Sequence, residues 1–322
     1  MTGKPILIWT ARLGSLFILF PVFFISGTLA LSGQLPDVPS EPGLLSNSTG
    51  LLTIALANTL LMVALIRSSR WQGWRLALTL AMAYYGAVTF MTQIETWYFL
   101  SAITIDEKIL MRLFIMGLPV AFIYVPLAVW IIGKGRAKTT PQANTALVLP
   151  FKQWIWKLGT IALCYLLLYW CAGYFIAWQN PALRAFYGSP GAIVPFWEHT
   201  RNTLLTNPDL FSFQILRGLL WILCTLPIIG GSKLSIGRTT ILLGLFLTVP
   251  QCLGLLLENP LMPIASVRLS HLMEGLTSNF LFAVIIVWLL HRAHTSIPDL
   301  FRFNHKNILA TPSLNKASII HP

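Results

Sequence analysis

Apolar residues occur in eight long runs along the chain, and most charged residues lie in the stretches between them. The runs span approximately Leu13–Leu31, Leu51–Ile66, Leu76–Phe99, Ile109–Ile132, Trp156–Trp178, Phe211–Ile229, Thr240–Leu257 and Val267–Leu290. Each is near the length of about 20 residues with which a helix crosses the hydrocarbon core of a bilayer. The runs also lack the two-residue alternation of membrane barrels. The pattern therefore predicts an all-α, polytopic membrane bundle of about eight transmembrane helices.

The composition supports a lipid environment. Of the 322 residues, 56% are hydrophobic and 10% are charged, and the mean hydropathy is +0.72. Soluble domains carry roughly 25% charged residues, so a soluble fold of this composition would leave much apolar surface in water. The lipid bilayer is therefore the expected partner, and the expected location is the inner cell membrane. The four cysteines lie inside apolar runs and are interpreted as small buried hydrophobic residues.

The basic residues predict the orientation of the bundle. If the N-terminus is cytoplasmic, 16 of the 22 Lys and Arg residues fall in cytoplasmic segments. The other six fall on the outer side: Lys108, Arg112, Arg184, Arg201, Arg217 and Arg268. This bias follows the positive-inside rule, so both termini are predicted to be cytoplasmic. It also accounts for most of the net charge of +12, and no basic segment interleaved with aromatic residues indicates nucleic acid as a partner.

The segments outside the runs carry two further predictions. In the long outer connection, residues 179–210, Asn180 is followed by proline, which is typical of an N-cap and the first position of a short helix lying on the membrane. Residues 1–295 are predicted to form one transmembrane domain, in which the first run is an anchor and not a cleaved signal peptide. Residues 296–322 have mixed polarity and are predicted to form a loosely ordered cytoplasmic tail.

The last apolar run is preceded by an unusually polar stretch, "SVRLSHLMEGLTSNF", at residues 266–280. At 100° per residue of a helix, the polar and the large apolar side chains separate into two stripes. The polar stripe contains Arg268, His271, Glu274, Ser278 and Asn279. Ionisable groups in membrane helices normally face the bundle interior, so we predict that this stripe points inward. His271 and Glu274 are the candidate catalytic residues, His271 as the general acid and base and Glu274 as the group that orients it.

Depth and sign of charge predict how the remaining ionisable residues pair. Counted from the cytoplasmic edges of their helices, Arg217 lies about 8 Å and Glu274 about 5 Å inside the outer boundary, deeper than any other charge. An unpaired charge costs roughly 2.5–3.5 kcal/mol at mid-bilayer, so opposite charges are expected to pair. The predicted pairs are Arg217 with Glu274, Glu258 with Arg268, and Glu95 with Arg112. The alternative for the three boundary residues Glu95, Arg112 and Arg268 is that they extend to the lipid head groups.

The candidate substrate-binding residues are drawn from the same outer side of the predicted bundle. They are Arg217, Arg268, Glu95, Gln93, Arg112, Glu258 and His199. The i, i+3 spacing of His271 and Glu274 also occurs in pairs of metal ligands in di-iron bundles. The chain has no second pair with this spacing, so no metal is predicted, and the sequence indicates no cofactor.

Three functions are compatible with this pattern. The first is an enzyme that acts on a lipid or lipid-linked substrate at the outer leaflet, with Arg217 and Arg268 holding an anionic head group. The second is a secondary transporter that uses a carboxylate for proton coupling and the arginines for an anionic substrate. The third is a membrane scaffold whose polar residues are structural. The fingerprints of zinc proteases, serine hydrolases, P-loop proteins and dinucleotide-binding proteins are absent from the sequence.

Overall fold

The computed structural model describes residues 3–35, 38–100, 106–136, 147, 149–291 and 298–299. Within these ranges the chain forms helices and no strand. In chain order the helices are α1 (Gly3–Thr28), α2 (Asn47–Ser68), α3 (Gly73–Tyr84 continued by Tyr85–Phe90 and Met91–Tyr98), α4 (Glu107–Ile131), α5 (Phe151–Ala177), α6 (Pro181–Phe186), α7 (Phe196–Thr206), α8 (Asp209–Gly231), α9 (Ile236–Leu256) and α10 (Ala265–His291). The predicted all-α architecture is confirmed.

Eight of these helices correspond to the eight apolar runs, and α6 and α7 are short helices of the connection between α5 and α8. Seven of the eight are long and apolar enough to cross a membrane. The exception is α3, in which Tyr84, Gln93 and Glu95 interrupt the apolar sequence. By length and composition alone, the structure therefore supports seven candidate membrane spans.

α3 nevertheless runs the full height of the bundle. At its start, the Gly73 N–H donates to the carbonyl of Lys134 (2.8 Å), and the neighbouring Arg70 N–H donates to the carbonyl of Gly231, the last residue of α8 (2.7 Å). At its end, the Tyr98 hydroxyl donates to the carboxylate of Asp209, the first residue of α8 (2.8 Å). α3 is therefore antiparallel to a candidate span and covers the same height, so its burial among neighbouring helices compensates for its lower hydropathy.

The connections between the long helices collect at two ends of the bundle. We call the upper end the one with residues 32–35, 38–46, 99–100, 106, 178–208 and 257–264, and the lower end the one with residues 69–72, 132–136, 147, 149–150 and 232–235. Arg12, near the start of α1, donates to the carbonyl of Ile132 at the lower end (3.2 Å). α10 begins at the upper end and, at 27 residues, is about 40 Å long, so it ends at the lower end. The chain therefore enters the first helix and leaves the last one at the same end.

Capping residues fix where the helices begin at the upper end. Ser46 accepts a hydrogen bond from the Thr49 N–H at the start of α2 (3.3 Å), and Asp106 accepts one from the Lys108 N–H at the start of α4 (2.7 Å). Asn180 accepts one from the Ala182 N–H (2.9 Å). This confirms the short helix α6 predicted from its N-cap and proline. The predicted tail lies outside the described residues, apart from 298–299.

One continuous hydrophobic core joins side chains from all eight long helices. Buried polar side chains in this core have hydrogen-bond partners within it. The Tyr84 hydroxyl donates to the Asn58 side chain (2.8 Å), and the Asn58 amide donates to the Ile54 carbonyl (2.9 Å). Lys157 is one of the bases assigned to the cytoplasmic side, and its side chain is fully buried six residues into α5, about 9 Å from the start of that helix. A buried basic residue therefore also lies near the lower end.

Candidate functional site

A chain of three hydrogen-bonded side chains lies at the upper end between α10 and the segment that follows α6. His271 Nδ1 is 3.0 Å from Glu274 Oε2, and His271 Nε2 is 3.1 Å from the Tyr187 hydroxyl. An ionised carboxylate can only accept, so Nδ1 carries the imidazole proton. The Nε2 atom of neutral His271 is then the acceptor, and Tyr187 donates to it. The sequence predicted the His271–Glu274 pair, because i, i+3 residues of a helix are neighbours.

Backbone contacts fix Tyr187 opposite His271. Arg184 of α6 is buried and donates to the carbonyls of Trp178 (2.7 Å), Gln179 (3.2 Å) and Gly191 (3.0 Å). Asn180 also donates to Ser270 of α10 (3.0 Å). These bonds hold the turn after α6 against α10, so Tyr187 is positioned by the fold and not by chance contact with the histidine.

The second polar cluster is an ion pair between α3 and α8. Arg217 donates through Nη1 to Glu95 Oε1 (2.7 Å) and through Nη2 to Glu95 Oε2 (2.6 Å), which is a bidentate arrangement. Arg217 Nη1 also donates to Gln214 Oε1, one helical turn away (2.9 Å). The guanidinium lies over three rings, those of Tyr165, Tyr169 and Phe213, at 5.8, 5.9 and 5.8 Å from their centroids.

This arrangement contradicts the predicted pairing of Arg217 with Glu274. The two side chains do face the interior of the bundle, but each has another partner. The prediction paired residues of opposite charge at similar depth in the membrane. In the structure the partner depends on which helices are neighbours: α8 packs against α3, and α10 packs against α9 and α5.

Helix α5 joins the two clusters into one site. Tyr165 and Tyr169 contact Arg217, and Gly173, one turn further along, lies beside the free oxygen of Glu274: a β-carbon on Gly173 would be 3.5 Å from Oε1. Gly173 begins a π-helical stretch, Gly173–Ala177, a feature that often occurs at functional sites. Burial raises the pKa of the Tyr187 hydroxyl, and the charges of Glu95 and Glu274 raise it further. Both carboxylates therefore act on the same tyrosine.

The side chains of the site are partly exposed. The exposed fraction of the side chain is 34% for Glu95, 24% for His271 and 15% for Glu274, whereas it is 4% for Arg217. On the opposite stripe of α10, Met273 is 55% and Leu276 38% exposed, whereas Leu272 is buried against the bundle. The predicted inward direction of the polar stripe is thus confirmed.

Arg268 lies apart from these clusters and has a structural environment. It is buried and donates to four carbonyls: Met262 (2.8 Å), Pro263 (3.0 Å), Glu41 (2.8 Å) and Pro42 (3.0 Å). It thereby ties the connection before α2 to the one before α10. The predicted pair with Glu258 is wrong, because both terminal nitrogens of Arg268 donate to carbonyls, and Glu258 instead accepts a hydrogen bond from Ser40.

The remaining predicted binding residues are dispersed. Arg112 donates to the carbonyl of Ala30 (2.9 Å) and does not pair with Glu95, so this prediction is also wrong. Gln93 is buried, and its Oε1 accepts no hydrogen bond from the described part of the chain. His199 is stacked on Trp170 (5.2 Å between centroids), and burial lowers its pKa. Trp178 lies between His199 and the site: the centroid of its ring is 5.6 Å from that of His199 and 6.5 Å from that of Tyr187.

Four side chains of the site were not identified from the sequence. Tyr187 is 84 residues from its partner His271, so no local pattern in the sequence connects the two. Tyr165 and Tyr169 lie in an apolar run, where tyrosines carry no specific signal. Gln214 has a recognisable signal, because a buried polar residue three positions before a deep arginine is placed to bond with it.

Among the described residues, no three His, Cys, Asp or Glu side chains come together as a group able to hold a metal ion. Comparison with known proteins gives no assignment for this site: no protein-family model, curated protein or solved structure matches the chain.

Proposed function

We propose that the chain is a multi-pass membrane enzyme that acts on a lipid or lipid-linked substrate at the upper end of the bundle, with that end facing the extracytoplasmic side. The observation that carries the proposal is the hydrogen-bonded chain Tyr187–His271–Glu274. A base that is oriented by a carboxylate and bonded to a hydroxyl has the arrangement used to activate nucleophiles in hydrolases and transferases.

In the proposed mechanism Glu274 holds the Nδ1–H of His271 and stabilises the imidazolium that forms. His271 Nε2 accepts a proton from Tyr187 in the same step in which Tyr187 takes the proton of a substrate hydroxyl, so no free tyrosinate forms and the substrate oxygen becomes nucleophilic. The basic residues support the orientation, because most of them belong to lower-end segments.

The structure favours a neutral reacting group over the anionic head group considered from the sequence. The charge of Arg217 is neutralised by Glu95, and the donors of Arg268 are directed to carbonyls. The site therefore has no uncompensated arginine for a phosphate, and the side chains that remain, aromatic rings and Glu274, suit a hydroxyl or amine carried by a lipid.

The experiment is turnover by the purified protein in vesicles of total membrane lipid, followed by mass spectrometry of the lipids. The variants are His271→Ala, Glu274→Gln and Tyr187→Phe, and the control is Glu198→Gln, which makes the same chemical change at an exposed upper-end carboxylate. We expect a new lipid product from the wild type and the control. Loss of the general base should lower the rate by about 10²–10⁴-fold.

Absence of turnover by the wild type, or equal turnover by His271→Ala, would overturn the proposal. Partial recovery of the His271→Ala variant by added imidazole would separate a chemical role from a structural one.

Proton transport is the second candidate function, since fully buried Lys157 places an ionisable group in the lower half of the bundle. Proton uptake by the same vesicles that is lost in Glu274→Gln, without lipid turnover, would favour it.

A further inference from the structure

Six basic side chains gather at the lower end, outside the proposed active site. They are Arg12, Arg67, Arg70, Arg75, Lys134 and Lys233, and they come from α1, α2, α3 and the three lower connections. We call them the basic cluster. Backbone bonds bring the connections together, since the Lys233 N–H donates to the Ser68 carbonyl (2.9 Å) and the Gly73 N–H to that of Lys134 (2.8 Å).

Contacts of the side chains hold the cluster in place. The guanidinium of Arg67 lies 4.7 Å, and that of Arg12 5.5 Å, from the ring centroid of Trp9, and the guanidinium of Arg75 lies 4.6 Å from that of Trp71. Stacking on a ring directs an arginine without neutralising its charge. Lys134 donates to the carbonyl of Ser69 and Arg12 donates to that of Ile132, and neutral acceptors of this kind do not compensate the charges of these two residues.

Acidic residues are scarce at this end. Of the ten acidic residues, Asp299 is the one whose chain position belongs to the lower side. Six positive charges therefore meet at most one negative charge. The bases of the cluster are close enough to affect one another: the pKa of Lys134 is lowered to about 8 by burial and by the charge of Lys233.

An apolar groove opens beside the cluster between α2, α3 and α8. It is lined by Leu65, Leu76, Leu80, Pro227 and Ile228, with Thr79 at its side. Its wall also includes Trp71, which carries Arg75, and Ser69, which accepts from Lys134. The groove and the basic cluster are therefore parts of one surface.

We propose that this surface binds one anionic phospholipid of the surrounding leaflet, with the phosphate on the basic cluster and the first part of an acyl chain in the groove. Basic pockets between membrane helices are suited to acidic head groups, and the attraction is about 1 kcal/mol for each Lys or Arg near the surface. This inference depends on membrane insertion and not on the enzymatic function proposed above.

The test is native mass spectrometry of the purified protein with phosphatidylglycerol or phosphatidylcholine added. Wild-type protein is expected to retain phosphatidylglycerol in preference to phosphatidylcholine. In the double variant Arg67→Gln with Arg75→Gln, both residues being exposed, affinity for phosphatidylglycerol should fall about 30-fold, since each base accounts for about fivefold. The control is Lys152→Gln with Arg238→Gln, which removes the same charge from exposed lower-end positions outside the cluster.

A second variant tests the groove without any change of charge. Thr79→Phe fills the space beside Leu76 and Leu80, and it should weaken retention of phosphatidylglycerol while the protein remains folded by circular dichroism. Equal retention of the two lipids by the wild type, or an equal loss in the cluster and control variants, would overturn the proposal in favour of a diffuse positive surface.

Discussion

The ion pair between Glu95 and Arg217 allows a quantitative test of the site. Arg217 is 4% exposed and forms a bidentate pair, so removing Glu95 leaves a desolvated cation. Breaking a fully buried pair in this way costs about 3–5 kcal/mol. Here the cost should be smaller, about 2–3 kcal/mol for Glu95→Leu, because Glu95 is 34% exposed and water can reach the guanidinium from its side.

The reverse change should be milder. In Arg217→Met the carboxylate left behind can turn toward water, so we expect about 1–2 kcal/mol, and the double variant should recover most of the loss. The coupling energy between positions 95 and 217 is therefore expected to be about 2–3 kcal/mol, or roughly a 30- to 150-fold change in the unfolding equilibrium.

The measurement is a double-mutant cycle on the free energy of unfolding, with the purified protein titrated with dodecyl sulfate in mixed micelles and followed by circular dichroism. The matched cycle pairs Arg217→Met with Glu274→Gln, whose carboxylate bonds to His271 instead. Its coupling should be below about 0.5 kcal/mol, the value typical of residues without a shared contact. A larger coupling of Arg217 to Glu274 than to Glu95 would refute the assignment of partners.

Three other substitutions test separate parts of the structure. Arg268→Gln should destabilise the protein by about 3 kcal/mol or more. Arg268→Lys should not restore stability, because an ammonium group cannot donate to four carbonyls as the guanidinium does. Faster limited proteolysis of residues 38–46 would show that the connection held by Arg268 is destabilised. Gly218→Val should cost about 1–3 kcal/mol in the same unfolding assay, since its β-carbon would lie 3.0 Å from atoms of Ala162, whereas Gly237→Val, in open space, should not. Lys233→Gln should raise the pKa of Lys134 from about 8 and therefore slow acylation of Lys134 at pH 8, measured by mass spectrometry of labelled peptides; an unchanged rate would contradict their proximity.

The fold was predictable because it depends on properties that are local in the sequence. The apolar runs and the cap at Asn180 are each contained in a short stretch, and the corresponding helices are found. The same holds for His271 and Glu274, which are neighbours on one helix whatever surrounds it. α3 was predictable as a helix, but its lower hydropathy becomes understandable only once its neighbours are known.

The contacts between helices were not predictable by the same reasoning. Depth and charge sign gave Glu274 as the partner of Arg217, whereas the packing of the helices places Glu95 beside it. The predicted ion pairs also assumed that an arginine near the bilayer needs a carboxylate as its partner. Arg268 and Arg112 instead satisfy backbone carbonyls of connections, which are abundant acceptors in every sequence and leave no pattern in it.

The observed pairs give the site one part whose charges are fixed and another part whose charge can change. Arginine does not lose its proton in proteins, so the pair with Glu95 keeps a fixed charge distribution, and its contacts with Tyr165 and Tyr169 fix the position of α5. Glu274 is joined to a histidine, the side chain whose protonation changes most readily near neutral pH. Had Arg217 paired with Glu274, both would have been locked in a permanent pair. With Arg217 held by Glu95, Glu274 is available to stabilise a proton on His271, which is the property that the proposed proton transfer through Tyr187 requires.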